Sequence, residues 1–277
     1  MLRTIVSPQE LARHLDDRAW LVLDCRHSLQ NAAAGRAAYA SAHIPGAFFA
    51  GLEEDLAGAK TGKNGRHPLP DAHEFAAFLA AYGANDDTQI VAYDAGGDMF
   101  ASRLWFLLKW IGHDAVAVLD GGFAAWQAGG YPTTDRPSLP PSRGTLVPRV
   151  RDELTVDARE VIANLPSQQF MVLDARSADR FEGRNETIDP IGGHIPNASN
   201  RWFKENYDAS GRFKTPDALR AEFDALGVAS QRIVHQCGSG ISATVNALAM
   251  EHAELHGSRL YPGSWSEWCA DPNNPTA

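Results

Sequence analysis

The chain has 277 residues, 44% of them hydrophobic and 21% charged, a globular composition with enough length for two domain-sized cores. Its formal net charge of -9 argues against a general nucleic-acid binder or a binder of anionic membranes, and points to small molecules or proteins as partners. No run of about 18 apolar residues suggests a membrane span, the N-terminal stretch lacks the apolar core of a signal peptide, and three widely spaced cysteines suit a reducing compartment, so a cytoplasmic protein is expected.

Taken in chain order, the pattern alternates short apolar strands with amphipathic helices, which predicts an α/β fold with a mainly parallel sheet. Ser7-Pro8 sets a capping hydroxyl before a helix-starting proline, and strands are expected near residues 21–24, 90–93 and 115–119. Between the first two strands, residues 49–70 carry glycines and charges without periodicity, the signature of a functional or covering loop. Residues 131–151 are rich in proline and polar side chains and read as a linker, which places domains at 1–132 and 153–277 joined by 133–152. Further strands are expected near 170–174, 232–235 and 259–261. A helix opened by Thr215-Pro216 carries an apolar face through Ala218, Leu219, Ala221, Phe223 and Leu226 and ends at Gly227.

The chain is written twice. Residues 23–47 (LDCRH…YASAHIPGA) return as 173–198 (LDARS…IGGHIPNA), and 90–126 (IVAYDAGG…LDGGFAAW) return as 233–268 (IVHQCGSG…LYPGSWSEW). Features shared by both copies are read as scaffold, and features of one copy as candidates for chemistry. Asp94 stands in the first copy where Cys237 stands in the second, and the loop Cys237-Gly238-Ser239-Gly240-Ile241-Ser242-Ala243 is thereby singled out. His67, in the long segment of copy one, also has no counterpart.

Cys237 follows an apolar strand, and the loop after it leads into a helix-forming run from Ala243 to Met250. Strand, loop and helix N-terminus together favour an anion, which would increase the thiolate fraction and so the nucleophilicity of the sulfur. Gly238 and Gly240 permit the turns, and Ser239 and Ser242 add hydroxyl donors.

These motifs, with the paired HIP sequences at His43 and His194, GGFAAW from Gly121, CGSGISA from Cys237 and LYPGSWSEW from Leu260, resemble the two-domain rhodanese-type sulfurtransferases along nearly the whole chain. The resemblance implies two tandem rhodanese-like domains, each a mainly parallel sheet flanked by helices, with the N-terminal one catalytically silent. It further implies a double displacement. Cys237 takes a sulfane sulfur from a small-molecule donor as a persulfide, then passes it to a thiol, a dithiol such as thioredoxin, or cyanide, with no metal or organic cofactor. The neutral pair Gly238-Ser239 is similar to the 3-mercaptopyruvate-using members rather than to thiosulfate-preferring ones, whose loops are basic after the cysteine. Arg180 matches a substrate-holding arginine, with Gly238, Gly240, Ile241, Ser242 and Ala243 forming the loop around substrate. A second family arginine is unmatched, Thr187 standing near its place, and Arg184 and Arg201 are the candidates to compensate. Ser239 and His67 resemble two members of a proton relay, and its acid is sought near Glu53, Glu54 and Asp55.

The repeated His43 and His194 are expected to fix turns, and the repeated Asp24 and Asp174 to brace strand ends. Cys25 and Cys269 lack an activating context. The alternative readings are a thiosulfate or dual-donor sulfurtransferase, and a non-catalytic rhodanese-like binding module. A cysteine phosphatase is disfavoured because Ala243 stands where such a loop would end in arginine.

Overall fold

A computed structural model describes residues 1–140 and 142–277, and the chain divides into two compact units. Unit 1 comprises Met1–Gly58, Pro70–Arg151 and Tyr207–Phe213, and unit 2 comprises Ala59–Leu69, Asp152–Asn206 and Lys214–Ala277. Each unit therefore recruits a short segment from the other half of the sequence.

Unit 1 holds strands β1 (Ile5–Val6), β2 (Trp20–Asp24), β3 (Phe48–Phe49), β4 (Gln89–Tyr93) and β5 (Val116–Leu119), with helices α1 (Pro8–Ala12), α2 (Ala33–Ser41), α3 (Ala72–Ala81), α4 (Phe100–Trp110) and α5 (Gly122–Ala128). Its strands pair in the order β1-β5-β4-β2-β3, all parallel. Unit 2 holds β6 (Met171–Asp174), β7 (Ser199–Asn200), β8 (Ile233–Gln236) and β9 (Arg259–Leu260), with α6 (Ala158–Ser167), α7 (Ala178–Phe181), α8 (Pro216–Asp224), α9 (Ala243–His252) and α10 (Ser264–Trp268). Its order is β7-β6-β8-β9, again parallel, and a bridge from Thr155 to Leu260 stands where β1 pairs with β5 in unit 1. The duplication read from the sequence is thus a duplication of topology. Among the described residues, no helix is long and apolar enough to cross a membrane.

The capping signals act as expected: Ser7 Oγ accepts from Glu10 N at 3.1 Å, and Thr215 Oγ1 accepts from Ala218 N at 3.4 Å. Central strands β4 and β8 are buried on both faces, as parallel strands covered by helices must be, and this explains the apolar run of residues 90–93 in β4 and the Ile233-Val234 pair in β8. The shared motifs are built alike. His43 Nδ1 lies 2.8 Å from Tyr39 O with the two rings stacked, and His194 Nδ1 lies 2.9 Å from Phe181 O with its ring stacked on Phe181. Trp126 and Trp268 each donate from Nε1 to a proline carbonyl, Pro132 and Pro275, at 2.8 Å. Asp24 and Asp174 each clamp the arginine two residues on.

Of residues 133–152, expected as a linker, the described ones up to Arg151 fall in unit 1: Thr134 exchanges backbone hydrogen bonds with His43, and Leu146, Arg149 and Arg151 donate to Ala84, Ile111 and Trp110. A proline-rich stretch without periodicity hides this role, because its backbone finds partners one group at a time.

His235 on β8 is fully buried and both its ring nitrogens lack a hydrogen-bond partner. Burial, with the Arg201 charge adding, pulls its pKa down to about 3, against about 6.5 for an unfolded histidine. Between those values the unfolded chain binds a proton that the folded chain does not, so this contribution is fully present above pH 6.5 and is lost as pH falls toward 3. Urea unfolding at pH 7.5 and 5 is expected to show that His235→Leu loses about 2 kcal/mol less stability over this interval than the parent chain. Equal losses would refute it.

Candidate active site

The loop from Cys237 to Ser242 joins β8 to α9. Its carbonyls are taken by the start of α10: Trp265 N donates to Cys237 O at 3.0 Å and Ser266 N to Gly238 O at 2.9 Å. Cys237 N in turn donates to Ser264 Oγ at 3.1 Å. Gly240 has φ +74°, and a Cβ there would stand 2.2 Å from Pro262 O, so the loop needs glycine at this point both for its backbone and for its neighbour. Cys237 is 2% exposed, and Ser239, Ile241, Ser242 and Ala243 are also buried.

The equivalent loop of unit 1 indicates what such a loop accommodates. Asp94 Oδ1 accepts from Gly96 N at 3.0 Å and Oδ2 from Ala101 N at 3.1 Å, so a carboxylate is seated on the amides of the strand-loop-helix turn. In unit 2 the residue at that place is Cys237.

The residues singled out in the second copy meet in unit 2, and His67 joins them because residues 59–69 belong to that unit. His67 is 5% exposed and Ser239 8%, and His67 Nδ1 lies 2.8 Å from Ser239 Oγ. The segment is docked on the start of α10: Arg66 N donates to Ser266 Oγ at 3.0 Å, and Gly65, at φ +79°, approaches Gly263 so closely that a Cβ would lie 2.7 Å from its carbonyl. Asp55, from the acidic stretch considered for a relay, accepts from Gly51 N at 2.7 Å within unit 1.

Two guanidiniums stand over the loop. The side-chain atoms nearest to a Cβ built at Gly238 are Arg66 Nη2 at 3.0 Å and Arg180 Nη2 at 3.5 Å. Arg180 was expected, and Arg66 was not. The candidates for the second cation lie elsewhere: Arg184 is an exposed partner of Glu182, and Arg201 is buried against Glu222, Asn206 and the ring of Phe223. Arg66 adjoins His67, the residue of that segment without a counterpart in copy two, which is the one sequence signal that marked it. Burial, and then the charge of Arg180, pull the Arg66 guanidinium below its ordinary pKa, while the negative charge of a Cys237 thiolate pushes it up.

The other two thiols are held up by burial. Burial raises the Cys25 thiol well above its ordinary value, with Asp24 and Asp94 adding, and burial also raises Cys269. No group of three or more His, Cys, Asp or Glu side chains could hold a metal ion among the described residues. A buried sulfur nucleophile, two guanidiniums for an anionic substrate and a Ser-His pair within proton-transfer distance can support covalent transfer of a sulfur or acyl group.

The rhodanese-like domain matches this chain at residues 7–129 and again at 157–271. A Pseudomonas aeruginosa protein named "Probable 3-mercaptopyruvate sulfurtransferase" is 44% identical over 278 residues, covering 99% of this chain and 97% of that protein. The thiosulfate sulfurtransferase of Rattus norvegicus is 32% identical over 278 residues, covering 97% of this chain and 92% of its own. Among solved structures, the 3-mercaptopyruvate sulfurtransferase from Leishmania major superposes with a TM-score of 0.84 at 30% identity, covering 96% of this chain and 74% of that one. SseA from Escherichia coli gives 0.82 at 30% identity, covering 95% and 99%. The chain belongs to the rhodanese family and is a sulfurtransferase.

Gly240→Ala is expected to destabilise unit 2 by about 1–3 kcal/mol, because the strained φ and the Pro262 carbonyl both oppose a Cβ. Thermal unfolding together with the alkylation rate of Cys237 would check it, and a variant that matched the parent in both would count against this geometry.

Proposed function

We propose that this sulfurtransferase draws its sulfur from 3-mercaptopyruvate and delivers it to a thiol or cyanide through a persulfide on Cys237, with the first rhodanese-like domain catalytically silent. The observation that carries the reading is the pair Arg66 and Arg180 above the neutral Gly238-Ser239 step, with Ser239 in turn 2.8 Å from His67. A planar carboxylate suits guanidiniums, which offer paired N–H donors in a fixed fork.

In the first half-reaction the Cys237 thiolate attacks the donor sulfur. An S–S bond forms, the donor C–S bond breaks, and its electron pair passes to carbon as the enolate of pyruvate. The donor thiol proton is the one the enolate must gain, and Ser239 with His67 provides a path for it; a neutral His67 ring accepts at Nδ1 from the serine hydroxyl. In the second half-reaction an acceptor thiolate or cyanide attacks the outer sulfur, the S–S bond breaks, and Cys237 returns as thiolate. The acceptor is proposed as a small thiol or a dithiol protein of the thioredoxin kind.

A dual-donor enzyme that also uses thiosulfate is the second reading. It is favoured by the same two guanidiniums, and by the relative from Rattus norvegicus, which is named for thiosulfate.

Intact mass after brief exposure to 3-mercaptopyruvate is expected to show the gain of one sulfur atom, removed by cyanide or dithiol and absent in Cys237→Ser. His67→Ala is expected to lower turnover and alter its pH profile with mercaptopyruvate. An unchanged profile would remove His67 from the relay, and no sulfur uptake from either donor would overturn the transferase chemistry assigned to Cys237.

A further inference from the structure

The segment Glu186-Thr187-Ile188-Asp189 places a buried carboxylate against both cations of the donor site. Glu186 Oε1 accepts from the backbone of Ile188 at 2.9 Å and of Asp189 at 3.0 Å, which folds the turn so that both acidic side chains point the same way. Their side chains are 3% and 2% exposed. Asp189 accepts from Arg66 Nη1 through Oδ1 and from Arg180 Nη2 through Oδ2, the latter at 3.3 Å. Arg180 also meets Glu186 at 2.8 Å. One carboxylate thus spans the two guanidiniums that overhang Gly238, one oxygen to each, as an incoming carboxylate would.

We infer that Asp189 is a specificity-determining residue, a built-in carboxylate that fixes the charge a sulfur donor meets and so favours monoanionic carboxylate donors over dianionic ones. Arg66 and Arg180 are matched by Asp189 and Glu186, so the four groups sum to zero formal charge. A dianion brought against a balanced cluster gains little net attraction and still loses its hydration. A monocarboxylate has the chemistry of Asp189 itself, and exchanges with it or shares the two forks at a smaller desolvation cost. Removing the Asp189 charge leaves two cations facing one carboxylate, and the excess acts twice as strongly on a dianion as on a monoanion.

The inference deepens the proposed function and takes the donor's identity from it, and its test runs without sulfur transfer. Calorimetric binding of pyruvate and of sulfate, inert probes for the monoanionic and dianionic classes, is measured on the full chain for wild type, Asp189→Asn and Asp189→Glu. The sulfate-to-pyruvate affinity ratio is expected to rise about tenfold in Asp189→Asn and to stay near the parent value in Asp189→Glu, which keeps the charge. Glu186→Gln removes one negative charge from the same cluster and is expected to move the ratio in the same direction, so the inference stays testable if the Asp189 variant folds poorly. An unchanged ratio, equal weakening of both anions, or a Glu variant that behaves like the Asn variant would overturn it. Sulfur loading of Cys237 in the same preparations separates the two readings. A shifted ratio without loading leaves the charge assignment standing and removes the donor, and loading without a shift removes Asp189 alone.

Discussion

A chain of alternating charges runs from the buried end of the sheet in unit 2 to the two guanidiniums over the Cys237 loop, and the placement of those guanidiniums depends on it. Asp174, at the end of β6, holds Arg176 through both carboxylate oxygens; Arg176 touches Glu186; Glu186 and Asp189 hold Arg180; and Asp189 holds Arg66. Asp174, Arg176, Glu186 and Asp189 are buried, and ions so placed are tolerated only when each has its counter-ion and its hydrogen bonds, because an unpaired one costs several kcal/mol. The chain is anchored at its inner end, where Arg176 also donates to Gly193 O at 2.8 Å and stacks over the ring of Trp265. Two long side chains that would otherwise sample many rotamers are thereby held above Gly238.

The duplicated unit separates what this arrangement inherits from what it adds. In unit 1 the first link is present: Arg26 is clamped by Asp24, donates to Ala42 O at 2.6 Å and stacks over Phe123, which stands three residues before Trp126 as Trp265 stands three before Trp268. The loop there is closed by its own carboxylate, Asp94. The Asp-Arg clamp therefore belongs to the scaffold, since a unit whose loop already holds an anion keeps it. What unit 2 adds is the extension through Glu186 and Asp189 to Arg180 and Arg66, together with a thiol where unit 1 has a carboxylate.

Much of this was legible in the sequence because it is local. Strands β2, β4 and β6 announce themselves as apolar runs, Ser7 and Thr215 mark helix starts, and the CGSGISA loop follows its strand without interruption. Arg66 was not legible. It lies 171 residues before Cys237, in a segment with no periodicity, and joins the site only because residues 59–69 pack in unit 2. Nor did the sequence mark Asp189, which reads as one more acid beside a proline. The compensating cations expected at Arg184 and Arg201 lie elsewhere, because a guanidinium on a flexible stem is placed by its buried counter-ion, and such pairings leave no local pattern.

The charge of the donor site is the clearest case in which composition at one loop misleads. Gly238-Ser239 is neutral, yet two guanidiniums overhang it, and a Cβ at Gly238 would press on Arg66 Nη2 at 3.0 Å. Supplying the cations from outside the loop rather than within it has a physical consequence. A lysine in the loop would present a compact point charge to any anion, whereas two forks held by carboxylates present direction with almost no net charge. In the proposed reaction, discrimination between donors then rests less on attraction than on how well a ligand replaces the carboxylate already in place. The loop contributes space, and the buried acids set which anion is worth exchanging.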